Sequence, residues 1–211
     1  ENCNIDILID NSIINISDIK RKEILGNKEV NNITIKSPFA YLSCSFGLVV
    51  VNLERKEISD TYNIGDGVNL YEINGCTFKG DSIISATSEG VFYANANSQS
   101  LSDYNSWSIL PGYENKETYD NIICGDNNTI YGDYSHEIIS VSYNNGYLLT
   151  TEAKKVIVTR DSLYYQEITD SKLENIQYAW IDNESYIWVA DSINGLLKFE
   201  NYIYEEGYAP E

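Results

Sequence analysis

The single histidine, His136, is the first residue to test for chemistry, because it could serve as the base of a hydrolase. It stands in Asp133-Tyr134-Ser135-His136-Glu137, where a serine and two acids are close in sequence. A serine nucleophile of the elbow type would need a Gly-x-Ser-x-Gly sequence, which the chain lacks. We interpret the segment as a polar loop and predict no catalytic residue.

Acidic residues offer a second kind of chemistry. Pairs such as Glu205-Glu206, or Asp182 with Glu184, would act as acid and base only where a cleft brings them together. The turns Gly65-Asp66-Gly67 and Gly125-Asp126-Asn127-Asn128 carry oxygen ligands that Ca²⁺ prefers, but neither has the spacing of an EF-hand loop. We predict ordinary turns in which the Asp or Asn side chain bonds to its own backbone. No metal or cofactor site is predicted.

The cysteines are spaced too widely for a zinc site. Cys3, Cys44, Cys76 and Cys124 form no Cys-x-x-Cys pair, and His136 has no cysteine near it in sequence. The alternative, for a secreted protein, is that some of these cysteines form disulfide bonds. The apolar neighbours of Cys44, Cys76 and Cys124 predict small buried hydrophobic residues within strands.

The charge limits the partners of the chain. A formal net charge of −18 argues against nucleic acid, since phosphate binding needs clustered Lys and Arg. The longest apolar run, residues 48–51, is too short to span a bilayer. Residues 4–10 alternate apolar and polar side chains, which is typical of a strand and differs from a signal peptide. We therefore expect an acidic extracytoplasmic domain with no membrane span in this chain.

An internal repeat provides the elements that must position any site. Three segments share an apolar strand, a small residue, a short polar turn, a glycine and a second apolar strand: residues 41–50, 83–93 and 186–197. Residues 147–158 form a degenerate copy in which Lys155 replaces the glycine. This is the pattern of a tight antiparallel hairpin, because glycine supplies the positive φ of the turn.

Each hairpin is flanked by two further predicted strands. These lie at residues 31–36 and 56–63, at 72–78 and 106–110, and at 175–181 and 201–204. Gly47 and Gly90 are 43 positions apart, and Lys155 and Gly195 are 40 apart. Four strands in a period of about 40–45 residues is the pattern of a β-propeller blade.

The period is interrupted between Gly90 and Lys155, which are 65 positions apart. The excess consists of two predicted strands, residues 119–124 and 129–134. Either this blade lacks its outer strands, or residues near His136 are missing from the sequence. We favour the second interpretation, because a half-blade would expose an unpaired edge. Residues 5–18 predict two more strands, the outer half of a blade.

The sequence thus predicts an all-β fold, a β-propeller of four-stranded antiparallel blades with about 5–7 blades. Whether the ring is complete in this chain is open. We predict one domain, residues 1–211, with full blades at 30–64, 68–112, 137–170 and 173–206. Partial blades are predicted at 1–20 and 118–136.

Two stretches resemble known propeller families. Residues 187–190 and 194–199 resemble the repeat of two-component-regulator propellers of Bacteroidetes. Residues 15–22 and 40–65, continued at 86–93 and 103–107, are similar to the first propeller of the PorZ family, cell-surface components of the type IX secretion system. The resemblance implies two propellers followed by a small β-sandwich in the complete protein. It carries no catalytic motif and implies no cofactor.

The resemblance implies a non-catalytic scaffold at the cell surface or in the periplasm, associated with type IX protein secretion. Its partners would be proteins of a secretion or signalling complex, or a surface glycan or lipopolysaccharide. The alternative is the ligand-sensing propeller of a hybrid histidine kinase, which would continue into a membrane helix and a kinase. A propeller enzyme is the third and least favoured interpretation.

Loops between strands cluster on the two faces of a propeller and are the expected binding positions. From turn chemistry we predict binding loops at residues 65–69 and 125–128. The candidate residues are Asp66, Asn69, Asp126, Asn127 and Asn128. The tryptophans Trp107, Trp180 and Trp188 either line a binding face or, as we favour, fill the space between blades.

Overall fold

β-branched and aromatic residues dominate the predicted strand segments, and the computed structural model has strands at most of them. It describes residues 5–9, 12–16, 28–113, 118–125, 130–133, 138–160 and 164–200. Within these ranges the only helical element is one 3-10 turn. The strands form the antiparallel sheets of a β-propeller, as predicted. Two compact units contain them, Glu1–Ile122 and Ile123–Glu211.

Within each sheet of the first unit, among the described residues, strands that are consecutive in sequence are neighbours. A two-stranded sheet pairs β1 (Ile5–Ile9) with β2 (Ser12–Ile16). A four-stranded sheet contains β3 (Val30–Lys36), β4 (Phe39–Cys44), β5 (Gly47–Asn52) and β6 (Glu57–Tyr62). The next contains β7 (Ile73–Lys79), β8 (Ser82–Thr87), β9 (Gly90–Asn95) and β10 (Ser108–Ile109).

The hairpin between β4 and β5 shows why the repeat carries its glycine. Cys44 pairs with Gly47, so only two residues form the turn. Gly47 has a φ of 136°, and a Cβ there would lie 2.8 Å from the backbone oxygen of Tyr62. A side chain would therefore be strained and would push β6 away from the hairpin. The glycine keeps this turn tight and the sheet intact.

The central strand β5 of the blade β3–β6 is buried on both of its faces. One face joins a cluster that includes Leu42, Val49 and Ile16 of β2. The other face joins a cluster with the next blade, in which Leu48 packs with Ile73 and its neighbours. Burial on both sides explains why all residues of β5 are buried and why its sequence is a continuous apolar run.

Side chains on the first strand of one blade also bond to the backbone of the first strand of the next. Thr34 Oγ1 donates to the carbonyl oxygen of Cys76 at 2.7 Å. Asn31 Nδ2 donates to the carbonyl oxygen of Ile73 at 2.9 Å. Because these carbonyls lie between blades, the bonds satisfy polar groups that packing would otherwise bury unpaired.

The remaining strands repeat this architecture. β11 (Asn121–Cys124) and β12 (Ile130–Asp133) form a two-stranded sheet. A four-stranded sheet contains β13 (Ser140–Asn144), β14 (Tyr147–Glu152), β15 (Lys155–Arg160) and β16 (Tyr164–Ile168). A described three-stranded sheet contains β17 (Ile176–Ile181), β18 (Ile187–Asp191) and β19 (Gly195–Phe199).

The second unit has a core of the same kind. Leu149 and Val158 pack with Ala179 and Val189, all of them fully buried. Ser142 Oγ donates to the carbonyl oxygen of Ala179 at 2.7 Å, which is the counterpart of the Thr34 bond in the first unit. The inter-blade contact therefore recurs with a different hydroxyl side chain at the same repeat position.

The strand predictions differ from the structure in a few places. The strand predicted at residues 106–110 is shortened to Ser108–Ile109, because Tyr104–Ser106 forms the 3-10 turn. The strand predicted at 201–204 lies outside the described residues. β11 and β12 give the interrupted blade two strands, which agrees with both interpretations of the interval. The single domain over residues 1–211 stays a prediction.

The cysteine prediction is confirmed at two positions. Cys44 and Cys76 are buried in the two clusters of the first unit. Cys124, at the end of β11, is only half-buried, because it lies at the edge of a two-stranded sheet. Cys3 lies outside the described part of the chain.

A buried carboxylate holds the turns of the last described sheet. Asp191 Oδ1 accepts hydrogen bonds from the N–H groups of Ile193 and Asn194, both at 2.9 Å. Its Oδ2 accepts from Glu174 at 2.9 Å and Asn175 at 2.7 Å. Burial acts to raise the pKa of Asp191, but these four backbone bonds outweigh it and lower the pKa to about 2.

The acid stability of the second unit should therefore depend on Asp191. A carboxyl whose folded pKa is depressed stabilises the fold above its ordinary pKa of 3.8 and loses this effect as the pH falls towards about 2. We expect Asp191→Asn to lower the urea midpoint at pH 7, and the difference from the native chain to shrink between about pH 4 and pH 2. Glu184→Gln, which changes an exposed carboxyl, is the control and should leave the midpoint unchanged. Equal midpoints for Asp191→Asn and the native chain at pH 7 would contradict the assignment.

Candidate functional site

Two long connections of the first unit lie together on its surface. Residues 63–72 link β6 to β7, and residues 96–107 link β9 to β10. Ser102 joins them, because its carbonyl oxygen accepts from Asn63 Nδ2 at 3.4 Å and its hydroxyl donates to Asp60 at 3.0 Å. We call residues 63–72 and 96–107 the loop surface.

The first connection is a small ordered turn. Gly65 and Leu70 form an antiparallel bridge, and Tyr71 N donates to the carbonyl oxygen of Ile64 at 2.8 Å. Asp66 Oδ1 accepts from the backbone N–H groups of Asn69 at 2.7 Å and Val68 at 2.8 Å. These backbone bonds, first that of Asn69 and then that of Val68, lower the pKa of Asp66. The carboxylate thus stays ionised and holds the turn.

The second connection supports the first through an aromatic ring. Tyr104 lies over Gly67, where a Cβ would come within 2.8 Å of the ring and of its hydroxyl oxygen. Gly67 has a φ of 89°, so glycine is required both by the backbone and by the contact. Tyr104 in turn is placed by Trp107, whose N–H donates to the Tyr104 carbonyl oxygen at 3.1 Å.

Buried residues anchor this second connection. Leu101 and Trp107 belong to the core cluster between the blades, and Trp107 Nε1 donates to the carbonyl oxygen of Leu101 at 2.9 Å. Asp103 caps the 3-10 turn by accepting from Asn105 N at 3.0 Å. The loop surface is therefore tied to the core and does not depend on solvent-exposed contacts alone.

The loop surface exposes apolar side chains although its backbone is ordered. Val68 is 89% exposed, Leu70 is 58% exposed and Tyr104 is 40% exposed. Single exposed apolar residues are common, but three on two connections held together by Gly67 and Ser102 form a group. A group of this kind can supply the apolar centre of a contact with another molecule.

The formal charges of the loop surface are all of one sign. Residues 57–78 and 80–115 contain no Lys or Arg, so every formal charge in them is acidic. Asp66, Glu72 and Asp103 belong to the loop surface itself. A partner with positive charge would be attracted to it and one with negative charge repelled.

The predicted binding residues have different outcomes. Asp66 and Asn69 lie in the loop surface, but they bond to each other, with Asn69 Nδ2 at 3.3 Å from Asp66 Oδ2. Their polar groups hold the turn and leave Val68 and Leu70 exposed. Sequence reasoning missed these apolar residues, although a Val and a Leu inside a polar turn were a usable signal. Asp126, Asn127 and Asn128 lie outside the described residues.

The three tryptophans occupy two different environments. Trp107 fills the space between blades, as predicted. Trp180 and Trp188 are half-buried on one face of β17 and β18, with ring centroids 6.2 Å apart and planes 13° from parallel. Trp188 Nε1 donates to Asp182 Oδ2 at 2.7 Å, and this bond is the main reason why the pKa of Asp182 is lowered. The Asp182 carboxylate, like that of Asp66, therefore has a structural role.

The described ranges hold no group of three or more His, Cys, Asp or Glu side chains arranged to bind a metal ion. The same ranges contain no helix with the length and apolar character needed to cross a bilayer.

Comparison with known proteins finds a matching family and solved structures of similar fold. The family described as TSS9, PorZ, N-terminal beta-propeller domain matches residues 1–108. The structure is similar to that of PorZ, a surface component of the type IX secretion system of Porphyromonas gingivalis, with a TM-score of 0.70 and 17% identity. That alignment covers 92% of this chain and 28% of the PorZ chain. No sequence among curated proteins matches the chain.

Two further similar structures come from B. thetaiotaomicron. One is the extracellular domain of a putative one-component system, with a TM-score of 0.59, 16% identity, and coverage of 92% of this chain and 32% of that one. The other is the extracellular domain of a putative hybrid two-component system, with a TM-score of 0.54, 13% identity, and coverage of 83% and 33%. This chain thus spans about a third or less of the structures it resembles.

The contact between Gly67 and Tyr104 predicts the cost of a methyl group in the loop surface. Gly67→Ala should be destabilised by about 1–2 kcal/mol from its left-handed backbone and by about 1–3 kcal/mol more from the clash with the ring. Gly112→Ala is a matched control, since its φ is 88° and a Cβ there would meet nothing within 4 Å. Urea unfolding of both variants measures the difference. Equal losses for the two variants would show that Tyr104 does not hold the loop.

Proposed function

The chain belongs to the family of PorZ N-terminal β-propeller domains, and from this premise we propose that it is a non-catalytic scaffold that binds protein partners. The observation that carries the proposal is the loop surface. There Val68, Leu70 and Tyr104 are exposed on connections that the core holds in place.

The loop surface is already ordered in the free chain, which suits it to bind a partner. A loop that is already fixed loses little conformational entropy when a partner arrives. Here Asp66 closes one connection, and Leu101 and Trp107 anchor the other. Exposed apolar side chains on such a frame can enter a pocket of the partner, while the acidic residues around them select its charge.

A structural role explains the acids that would otherwise suggest catalysis. Carboxyl groups with a strongly shifted pKa are often catalytic. In this chain the lowered pKa values of Asp66, Asp182 and Asp191 each come with hydrogen bonds to a turn or to a tryptophan of the same fold. We therefore propose that these residues maintain the fold and that the chain is not an enzyme.

We place this scaffold outside the cytoplasm, at the cell surface or in the periplasm, in type IX protein secretion. Support comes from the family match and from the structural likeness to PorZ, itself a surface component of that system. The partners we propose are proteins of the secretion complex. Binding of a surface glycan or lipopolysaccharide would instead indicate a glycan-binding role for the propeller.

A sensing propeller is the second candidate function. The likeness to extracellular domains of putative one-component and hybrid two-component systems favours it. A sensor must pass its signal through a membrane helix to a cytoplasmic domain. The two candidates therefore differ in the polypeptide that carries the propeller and in the response of the cell when the gene is deleted.

Replacement of the exposed apolar residues tests the scaffold. We expect the double variant Val68→Ser, Leu70→Ser to reduce partner capture about tenfold or more, since an apolar contact residue contributes about 1 kcal/mol or more. The measurement is in-cell crosslinking followed by mass spectrometry, together with the surface proteome. Ile193→Ser, at a residue that is 62% exposed in the second unit, is the control and should bind normally.

The outcomes separate the proposals. Loss of cargo proteins from the surface in the double variant supports a secretion scaffold. An unchanged cargo profile with altered transcription supports the sensor. Unchanged protein capture combined with glycan binding by the purified chain would overturn the protein-binding role.

A further inference from the structure

The Lys and Arg side chains of the first two four-stranded blades lie at one end of these blades. Lys36 and Lys79 are the last residues of β3 and β7, and Arg55 and Lys56 lie in the turn between β5 and β6. Lys36 lies over the Phe78 ring at 4.1 Å, so the ends of β3 and β7 are neighbours. Strand β7 spans seven residues, or roughly 20 Å, so these cations are remote from the connection that precedes it.

The connection from β6 to β7 lies at the opposite end, together with the turn between β8 and β9. Ser88, in that turn, donates its backbone N–H to the carbonyl oxygen of Glu72 at 3.1 Å. The next residue, Glu89, is exposed. Burial first, and then the charges of Asp66 and Glu89, raise the pKa of Tyr71. The two carboxylates therefore act on the same part of the loop surface.

One cation of the first unit, among its described residues, lies at this end as well. Lys28 comes two residues before β3 and is half-buried. It is next to Glu29 in sequence, so the two add no net formal charge. The described residues at this end thus keep the negative charge of Asp66, Glu72 and Glu89. Acids and cations are separated along the length of the blades.

Apolar contact area and charge are combined in one short segment. Asp66, Val68, Leu70 and Glu72 alternate along the connection, and the two apolar residues are 89% and 58% exposed. Asp66 fixes the backbone through its bonds to the N–H groups of Val68 and Asn69. A molecule that fits this segment must place an apolar group on Val68 and Leu70 and positive charge beside it.

We propose, on the premise that the loop surface is the protein-binding site of the scaffold, that the partner segment is cationic and carries apolar side chains between Arg or Lys residues. The apolar side chains pack on Val68 and Leu70, and the cations face Glu72 and Glu89. Arg suits the position beside Tyr104, which is 40% exposed, better than Lys does. A guanidinium group stacks on an aromatic ring and bonds to a carboxylate through two N–H groups.

The same charges disfavour two other occupants. A lipopolysaccharide carries phosphate groups, which the carboxylates repel. A second copy of the chain carries a formal net charge of −18, so two copies repel each other. The charge of the surface therefore favours a basic protein segment over an anionic glycan and over self-association.

Matched peptides test the proposal. Three fluorescent peptides of equal length alternate Arg with Leu, Glu with Leu, or Arg with Ser, and their binding to the purified chain is measured by fluorescence anisotropy. We expect the Arg-Leu peptide to bind about tenfold more tightly than either of the others at low salt. Its advantage over the Glu-Leu peptide should shrink at high salt, because salt screens exposed charges.

A charge reversal locates the effect. Glu89→Lys should weaken binding of the Arg-Leu peptide about fivefold and strengthen binding of the Glu-Leu peptide. Glu54→Lys is the matched control, since it makes the same change of charge at an exposed residue of the turn between β5 and β6. It should leave both affinities nearly unchanged, because screening limits the reach of a charge to about 10 Å. The double variant Val68→Ser, Leu70→Ser should remove the preference for Leu over Ser.

Equal binding of the Arg-Leu and Glu-Leu peptides, or equal effects of Glu89→Lys and Glu54→Lys, would overturn the proposal. If the Val68→Ser, Leu70→Ser variant then still loses its crosslinked partners in cells, the scaffold function stands and only the inferred charge of its partner is overturned. Retention of those partners would overturn the scaffold site itself. Sedimentation of the native chain as a dimer that this double variant dissociates would also overturn the proposal, because a second copy would then occupy the surface.

Discussion

Burial on both faces of a blade is the constraint on which the rest of this structure depends. A strand such as β5, buried at every residue, has no solvent side and must have a neighbour on each face. This requirement explains the continuous apolar runs and the small side chains close to the neighbouring blade. It also explains the hydroxyl and amide donors on β3 and β13, which satisfy carbonyl groups of the next blade. On β3, by contrast, Ile33 and Ile35 are 58% and 61% exposed.

The loop surface is a consequence of the same packing. The connection from β9 to β10 contains the buried residues Leu101 and Trp107, which fix a segment that is otherwise largely exposed. The turn at Asp66 is then stabilised locally by hydrogen bonds to a carboxylate and by a glycine under the Tyr104 ring. We propose a binding role for these connections because a central strand such as β5 is buried on both faces and offers no side chain to a partner.

Carboxylates perform a related structural task at several turns of the chain. Asp66, Asp182 and Asp191 each accept two or more hydrogen bonds from turn backbone or from an indole N–H. An Asp is short enough to reach the N–H groups two and three residues ahead and stays charged when they are its partners. Part of the acidic composition is therefore needed for the turns themselves. The remaining acids, among them Glu72 and Glu89, give the surface its charge.

The amino-acid sequence by itself determined the all-β class, the blade repeat and most strand positions, because periodic apolar strands and a glycine at a fixed offset are local properties. It also determined the buried state of Cys44 and Cys76 and the turn at Asp66. Only the tertiary structure decided that Tyr104 covers Gly67, that Val68 and Leu70 are exposed together, and that Ile33 is exposed. These facts depend on contacts between segments far apart in sequence, and no local pattern of residues specifies which distant neighbour is present or absent.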